Sequence, residues 1–148
     1  MQNKTIAWLA SVLALSTLLW SIQLALSEGF LAADSIEVLI DNITTQSGFY
    51  SAIYLNATLL TLLTVALFGA LYSLEETKNS IWAKIAFPFI PIYGLLNLLA
   101  YLSQVFIVPL LIAMYQNPET VELAKVLLGF TLHTWPGSTI ESINGLAY

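Results

Sequence analysis

The sequence predicts an all-α protein, a polytopic bundle of transmembrane helices with short interfacial helices beside it. Three observations lead there. Of the 148 residues 58% are hydrophobic and only 9% charged, with mean hydropathy +0.82. A soluble domain carries about 25% charged residues, because most of a small globule lies at its surface. Three apolar runs are each long enough to cross a hydrocarbon core about 30 Å thick at about 1.5 Å per helical residue. The acidic residues, finally, all fall outside those runs.

Composition also excludes several functions. The net charge is −5, with four cations, all of them lysine. Nucleic-acid binding needs clustered Lys and Arg to neutralise phosphates, and a headgroup anchor needs a polybasic run, so neither is expected. Cysteine is absent and histidine occurs once, at His133. That leaves no disulfide, thiolate nucleophile, bis-histidine haem or multi-histidine metal centre. No phosphate loop, zinc-binding His-Glu pair or GxSxG elbow occurs. The expected partners are therefore the lipid bilayer and other transmembrane helices, in a further C-terminal part, a second copy or another subunit. No cofactor or metal is expected.

The first span is Thr5 to Ser27. A cleaved signal peptide is the competing reading, but its apolar region would be only about 7–15 residues long. Ala7, Ser11, Ala14, Ser21 and Ala25 share one helical face, and small side chains let helix backbones approach closely in lipid. That face is expected to meet the rest of the protein. The acidic connection from Glu28 to Gly48 follows, with Glu28, Asp34, Glu37 and Asp41 and no base. Within it Ile36, Leu39, Ile40 and Ile43 recur at helical spacing, predicting a short amphipathic helix on the membrane surface with Asp34 as its N-cap. Asn42-Ile43-Thr44 is a formal glycosylation sequon, a triplet common by chance.

The second span is 49–74, with Tyr50, Tyr54, Ala57, Thr61, Thr64, Phe68 and Tyr72 along one face. Asn56 stands away from that stripe. The third apolar run, Ile81 to Tyr115, is too long for one straight crossing, and Pro88 and Pro91 break it. Residues 81–87 are expected to lead in at headgroup level, with Trp82 and Lys84. The span proper is then 90–114, bent near Pro109. Lys4, Lys78 and Lys84 flank the same side, so the positive-inside rule places the N-terminus in the cytoplasm of a multi-pass cell-membrane protein.

Residues 119–135 contain an apolar stretch too short to cross, expected to lie as an interfacial or re-entrant helix at the outer face. Pro136-Gly137 then breaks the chain, and Ser138 with Glu141 forms a capping box opening a further helix over 139–148. A helix starting so late suggests the N-terminal part of a longer protein.

The most pointed feature is "YGLLNLLAYLSQ", residues 93–104. Taking Tyr93 as zero, about 100° per residue puts Asn97 near 40°, Tyr101 near 80° and Gln104 near 20°. The leucines occupy the opposite arc. An unpaired amide in hydrocarbon costs several kcal/mol, so this stripe must face other helices or water. Tyr93, Asn97, Tyr101 and Gln104 are the candidate binding residues, should the stripe line a cavity. In the structural alternative they bond neighbouring helices, and Asn56 is expected to bond the carbonyl of Val105 that Pro109 leaves without a donor. His133, Ser138 and Glu141 could be imagined as a catalytic group, but nothing in their spacing requires it. The role expected is structural or accessory. A small-molecule transporter or binding protein using the stripe is the alternative, and an intramembrane enzyme comes third.

Overall fold

The computed structural model describes residues 2–76 and 80–148. Lys78, part of the orientation argument, lies outside the described residues, as do the side chains of Glu75 and Glu76. The described chain is all-helical, and three of its helices are long and apolar enough to cross a membrane. In chain order the helices are α1 (Gln2–Leu31), α2 (Ile36–Thr45), α3 (Ser47–Glu76), α4 (Ile81–Ala86), α5 (Phe89–Tyr115), α6 (Val121–Thr131) and α7 (Thr139–Gly145).

Local chemistry explains the boundaries. α2 is capped by Ser35 rather than Asp34: the Ser35 Oγ accepts from the Val38 amide at 3.3 Å. The expected cap was one residue early because serine and aspartate both suit the position, and the apolar register starts at Ile36. Ile36, Leu39, Ile40 and Ile43 are all buried, so the apolar face of α2 is spent on the protein's own core and not on a membrane surface. α4 and α5 separate at Phe87-Pro88. Pro91 falls in the first turn of α5, where its missing N–H would have had no partner anyway. α5 continues through Pro109.

α3 lies between α1 and α5, and at Gly94 α5 packs tightly on α3. A Cβ there would stand 2.9 Å from the Val65 Cγ2. The packing of α1 corrects the small-residue expectation. Ala7, Ser11, Ala14, Ser21 and Ala25 are all exposed. The half-buried or buried residues of α1 include instead Leu13, Ser16, Trp20, Gln23, Leu24, Ser27 and Phe30. The hydroxyls on the outward face need no neighbour, because Ser11 and Ser21 each donate to the carbonyl four residues back, both at 2.9 Å. A serine satisfied within its own helix exerts no pull toward an interface.

The buried core gathers at the end of the bundle where α2 and α6 sit. Phe30, Leu39, Ile40, Tyr50, Ile53, Tyr101, Val108 and Leu128 belong to one apolar cluster there. The carbonyl of Phe30, otherwise an orphan at the end of α1, accepts from the Asn42 side chain at 2.9 Å. The sequon asparagine is thus already engaged as a cap.

α6 and α7 run back along α5. The Thr120 hydroxyl donates to the Met114 carbonyl at one end, and the Tyr148 hydroxyl donates to the Asn97 Oδ1 at the other. Between those two anchors the chain descends about 25 Å beside α5, at about 1.5 Å per residue. The expected outer-face helix 119–135 is therefore shorter, and its C-terminal end lies level with Gln104.

Candidate functional site

The polar stripe of α5 is where the bundle's elements meet. Asn97 and Gln104 are fully inaccessible and Tyr101 is buried, while Tyr93 is half-buried. They face inward because they share an arc, as their spacing dictates, whereas Leu95 and Leu99 on the other side are exposed.

Gln104 is the junction. Its Nε2 donates to the Thr131 carbonyl at 2.8 Å and to the Ser103 Oγ at 2.8 Å. Its Oε1 accepts from the Tyr50 hydroxyl at 2.7 Å and from the His133 amide at 3.0 Å. The two backbone partners flank Leu132, which has extended geometry at φ −66°, ψ 116°. The side-chain amide thus pairs with residues 131 and 133 as a neighbouring strand would, through one C=O and one N–H. That pairing answers a specific problem: where α6 stops, backbone groups lose their helical partners. Buried amides and carbonyls must find others. Within the break, Trp135 donates to the Leu132 carbonyl and Ser138 to the Trp135 carbonyl, both at 3.1 Å.

Aromatic rings surround the junction. Tyr50 and Tyr54 meet edge-on at 4.8 Å. His133 lies edge-on to both Tyr54 and Tyr101, at 5.7 and 5.8 Å, with the Tyr54 hydroxyl 3.4 Å from its Nδ1. Its Nε2 is buried without a protein partner.

At the other end of the stripe the Asn97 Nδ2 donates to its own helix, at the Tyr93 carbonyl, 2.9 Å away. Tyr148 sits edge-on to Tyr93 at 5.9 Å, and its hydroxyl lies 3.4 Å from that of Tyr101. Tyr93, Asn97, Tyr101 and Gln104 are therefore brought together with α3, α6 and α7.

Asn56 is not on this site. Its Nδ2 donates to the Gln23 Oε1 at 2.9 Å and to the Ser16 carbonyl at 3.3 Å, so it joins α3 to α1 and not to the Val105 carbonyl. Depth along the bundle allowed the expected contact; rotation about α3 points the side chain to the other neighbour. Gln23 was missed by the sequence argument, although the same signal marks it: a lone amide in an apolar run.

The imagined catalytic group is otherwise employed. Ser138 Oγ accepts from the Glu141 amide at 3.0 Å and Glu141 Oε2 accepts from the Gly137 amide at 2.7 Å, so both serve the turn before α7. Gly137 has φ +76°, which favours glycine at this turn. No group of three metal-ligating side chains occurs among the described residues.

Outside the stripe, Lys125 of α6 pairs with Glu37 of α2. The lysine's hydrogen bond is the main reason the Glu37 carboxyl is held down at about 2, with smaller help from the backbone and Ser35. The lysine is itself shifted upward. No protein family, curated protein or solved structure matches this chain at a significant level.

Proposed function

We propose that the protein is a multi-pass integral membrane bundle with a structural or accessory role, its three long helices crossing the lipid and α6–α7 entering it as a re-entrant, broken segment. The observation that carries this reading is the complete commitment of Gln104: all its polar atoms are bonded to protein, and none is accessible. Irregular backbone is tolerated at membrane depth only where protein or water satisfies it, and here a side-chain amide does so. Residues spent in this way position helices; they do not offer themselves to a permeant.

The orientation rests on the flanking lysines and the acidic α1–α3 connection, which favour a cytoplasmic N-terminus. The exposed leucine faces suit lipid and further helices of another subunit or a second copy.

The experiment uses the absence of native cysteine. Single-cysteine variants Asn97→Cys and Gln104→Cys, in membrane vesicles, are treated with a small water-soluble maleimide from either side. The structural reading expects both to stay unreactive. Ready labelling would show water reaching the stripe, and would favour a transport pathway instead.

A further inference from the structure

At the opposite end of the bundle from the Gln104 junction, α3, α4 and α5 part around a cavity of about 500 Å³, closed on one side by Leu146 and Ala147. That volume is typical of small-molecule sites, which are mostly apolar with a few polar groups and tend to lie between elements. Five aromatic rings stand in its wall: Phe68, Tyr72, Phe87, Phe89 and Tyr93. Tyr72 and Phe87 are stacked, centroids 4.2 Å apart and planes 28° from parallel, and Phe68 and Tyr93 lie 6.4 Å apart. Among the described residues no charged side chain lines it, and the tyrosine hydroxyls are the side-chain polar groups there.

Shape narrows the ligand. Among the described residues the lining on each wall covers little more than one helical turn, 68–72 on α3, 83–87 on α4 and its C-cap, and 89–93 on α5. Each of those stretches rises about 6 Å along its own helix. A stretched acyl chain reaches across half of the hydrocarbon core, about 15 Å, and does not fit upright. A flat ring system fits, and ring faces prefer offset or edge contacts with aromatic walls of this kind.

We propose that this cavity binds an uncharged, flat, ring-containing, lipid-soluble molecule, seated between Tyr72–Phe87 on one side and Tyr93 on the other. The inference rests on the membrane reading for the route of entry, from the lipid, and for setting aside an upright acyl chain. Tyr93 belongs both to this wall and to the stripe, so occupancy here bears on the α5–α7 contact through the Tyr93–Tyr148 ring pair.

Equilibrium dialysis tests it, with the full chain in detergent micelles, empty micelles as blank, and anthracene and palmitate as separate probes. The expected result is saturable anthracene binding in excess of the blank, near one per chain. Ala86→Trp, which fills the cavity, should weaken it at least tenfold. Leu18→Trp, in the shallow groove between α1 and α3, should leave it unchanged. Phe89→Ala, which removes a ring without filling space, should weaken it less than Ala86→Trp. No saturable binding in the wild type, or equal binding in Ala86→Trp, overturns the site. Palmitate bound more tightly than anthracene and displacing it overturns the ring assignment. A chain that stays monodisperse without detergent defeats the membrane reading alone, and the same dialysis then runs in buffer.

Discussion

Gln104 is one side chain serving three elements. Removing it leaves the Tyr50 hydroxyl, the Thr131 carbonyl and the His133 amide without their partner. A buried group left unsatisfied costs about 1–3 kcal/mol, less where relaxation admits a substitute. Gln104→Leu, close in size but without the amide, is expected to lose about 2–4 kcal/mol on that basis. Reversible unfolding in mixed micelles measures it, and a loss below about 0.5 kcal/mol would mean that the break finds other partners easily. The Gln23–Asn56 pair is a smaller case. Interhelical polar contacts return about 0.6–2 kcal/mol, so Asn56→Leu and Gln23→Leu should each destabilise modestly, and the double variant by less than their sum. Strict additivity in that cycle would show that the two amides do not interact. At this scale the sequence was informative where periodicity alone decides direction. The inward arc of Asn97, Tyr101 and Gln104 could be read from it. The partner of Asn56 could not, because two helices flank α3 and only three-dimensional packing chooses between them.

Among the helices, contact is set by what each face lacks. The small residues of α1 were a misleading guide because their hydroxyls are satisfied within the helix, which frees that face to point outward. Gly94 is the position where smallness does matter. Gly94→Leu should push α5 from α3 and lower the unfolding midpoint of the folded bundle, whereas Ala14→Leu, on the exposed face of α1, should leave it unchanged. Equal losses at both sites would contradict the assignment of faces. The break between α6 and α7 was legible as Pro136-Gly137 and the Ser138–Glu141 cap. Its depth beside α5 was not, since no local pattern records that Gln104 reaches Thr131 and His133. The α2–α6 tether is a charge pair, and its pH dependence follows from sign. The Glu37 carboxyl is held at about 2 in the folded chain, below its ordinary 4.5. Its contribution is therefore fully present above about pH 4.5 and is lost as pH falls toward 2. Both partners are partly exposed, so the effect is small and screened by salt. Stability of the wild type should fall more steeply than that of Lys125→Met between pH 5 and 3, and parallel curves would show that the pair contributes nothing.

For the molecule as a whole, the leading question is which surface meets which solvent. Sequence composition and run length pointed to lipid, and the structure adds where the apolar surface lies. Leu15 on α1, Leu62 on α3 and Leu99 on α5 are 68%, 51% and 49% exposed, with the polar groups of α5 turned the other way. Such surface would be costly in water and costs nothing against acyl chains. The direct measurement places single cysteines at Leu15, Leu62 and Leu99 in reconstituted vesicles, each carrying a fluorophore attached during purification. A lipid-borne quencher in the acyl region is then compared with a water-soluble one. The account predicts strong quenching from the lipid and little from water at all three positions. Preferential quenching from water at any of them, with Asp41→Cys on the outward face of α2 as the water-facing standard, would contradict it.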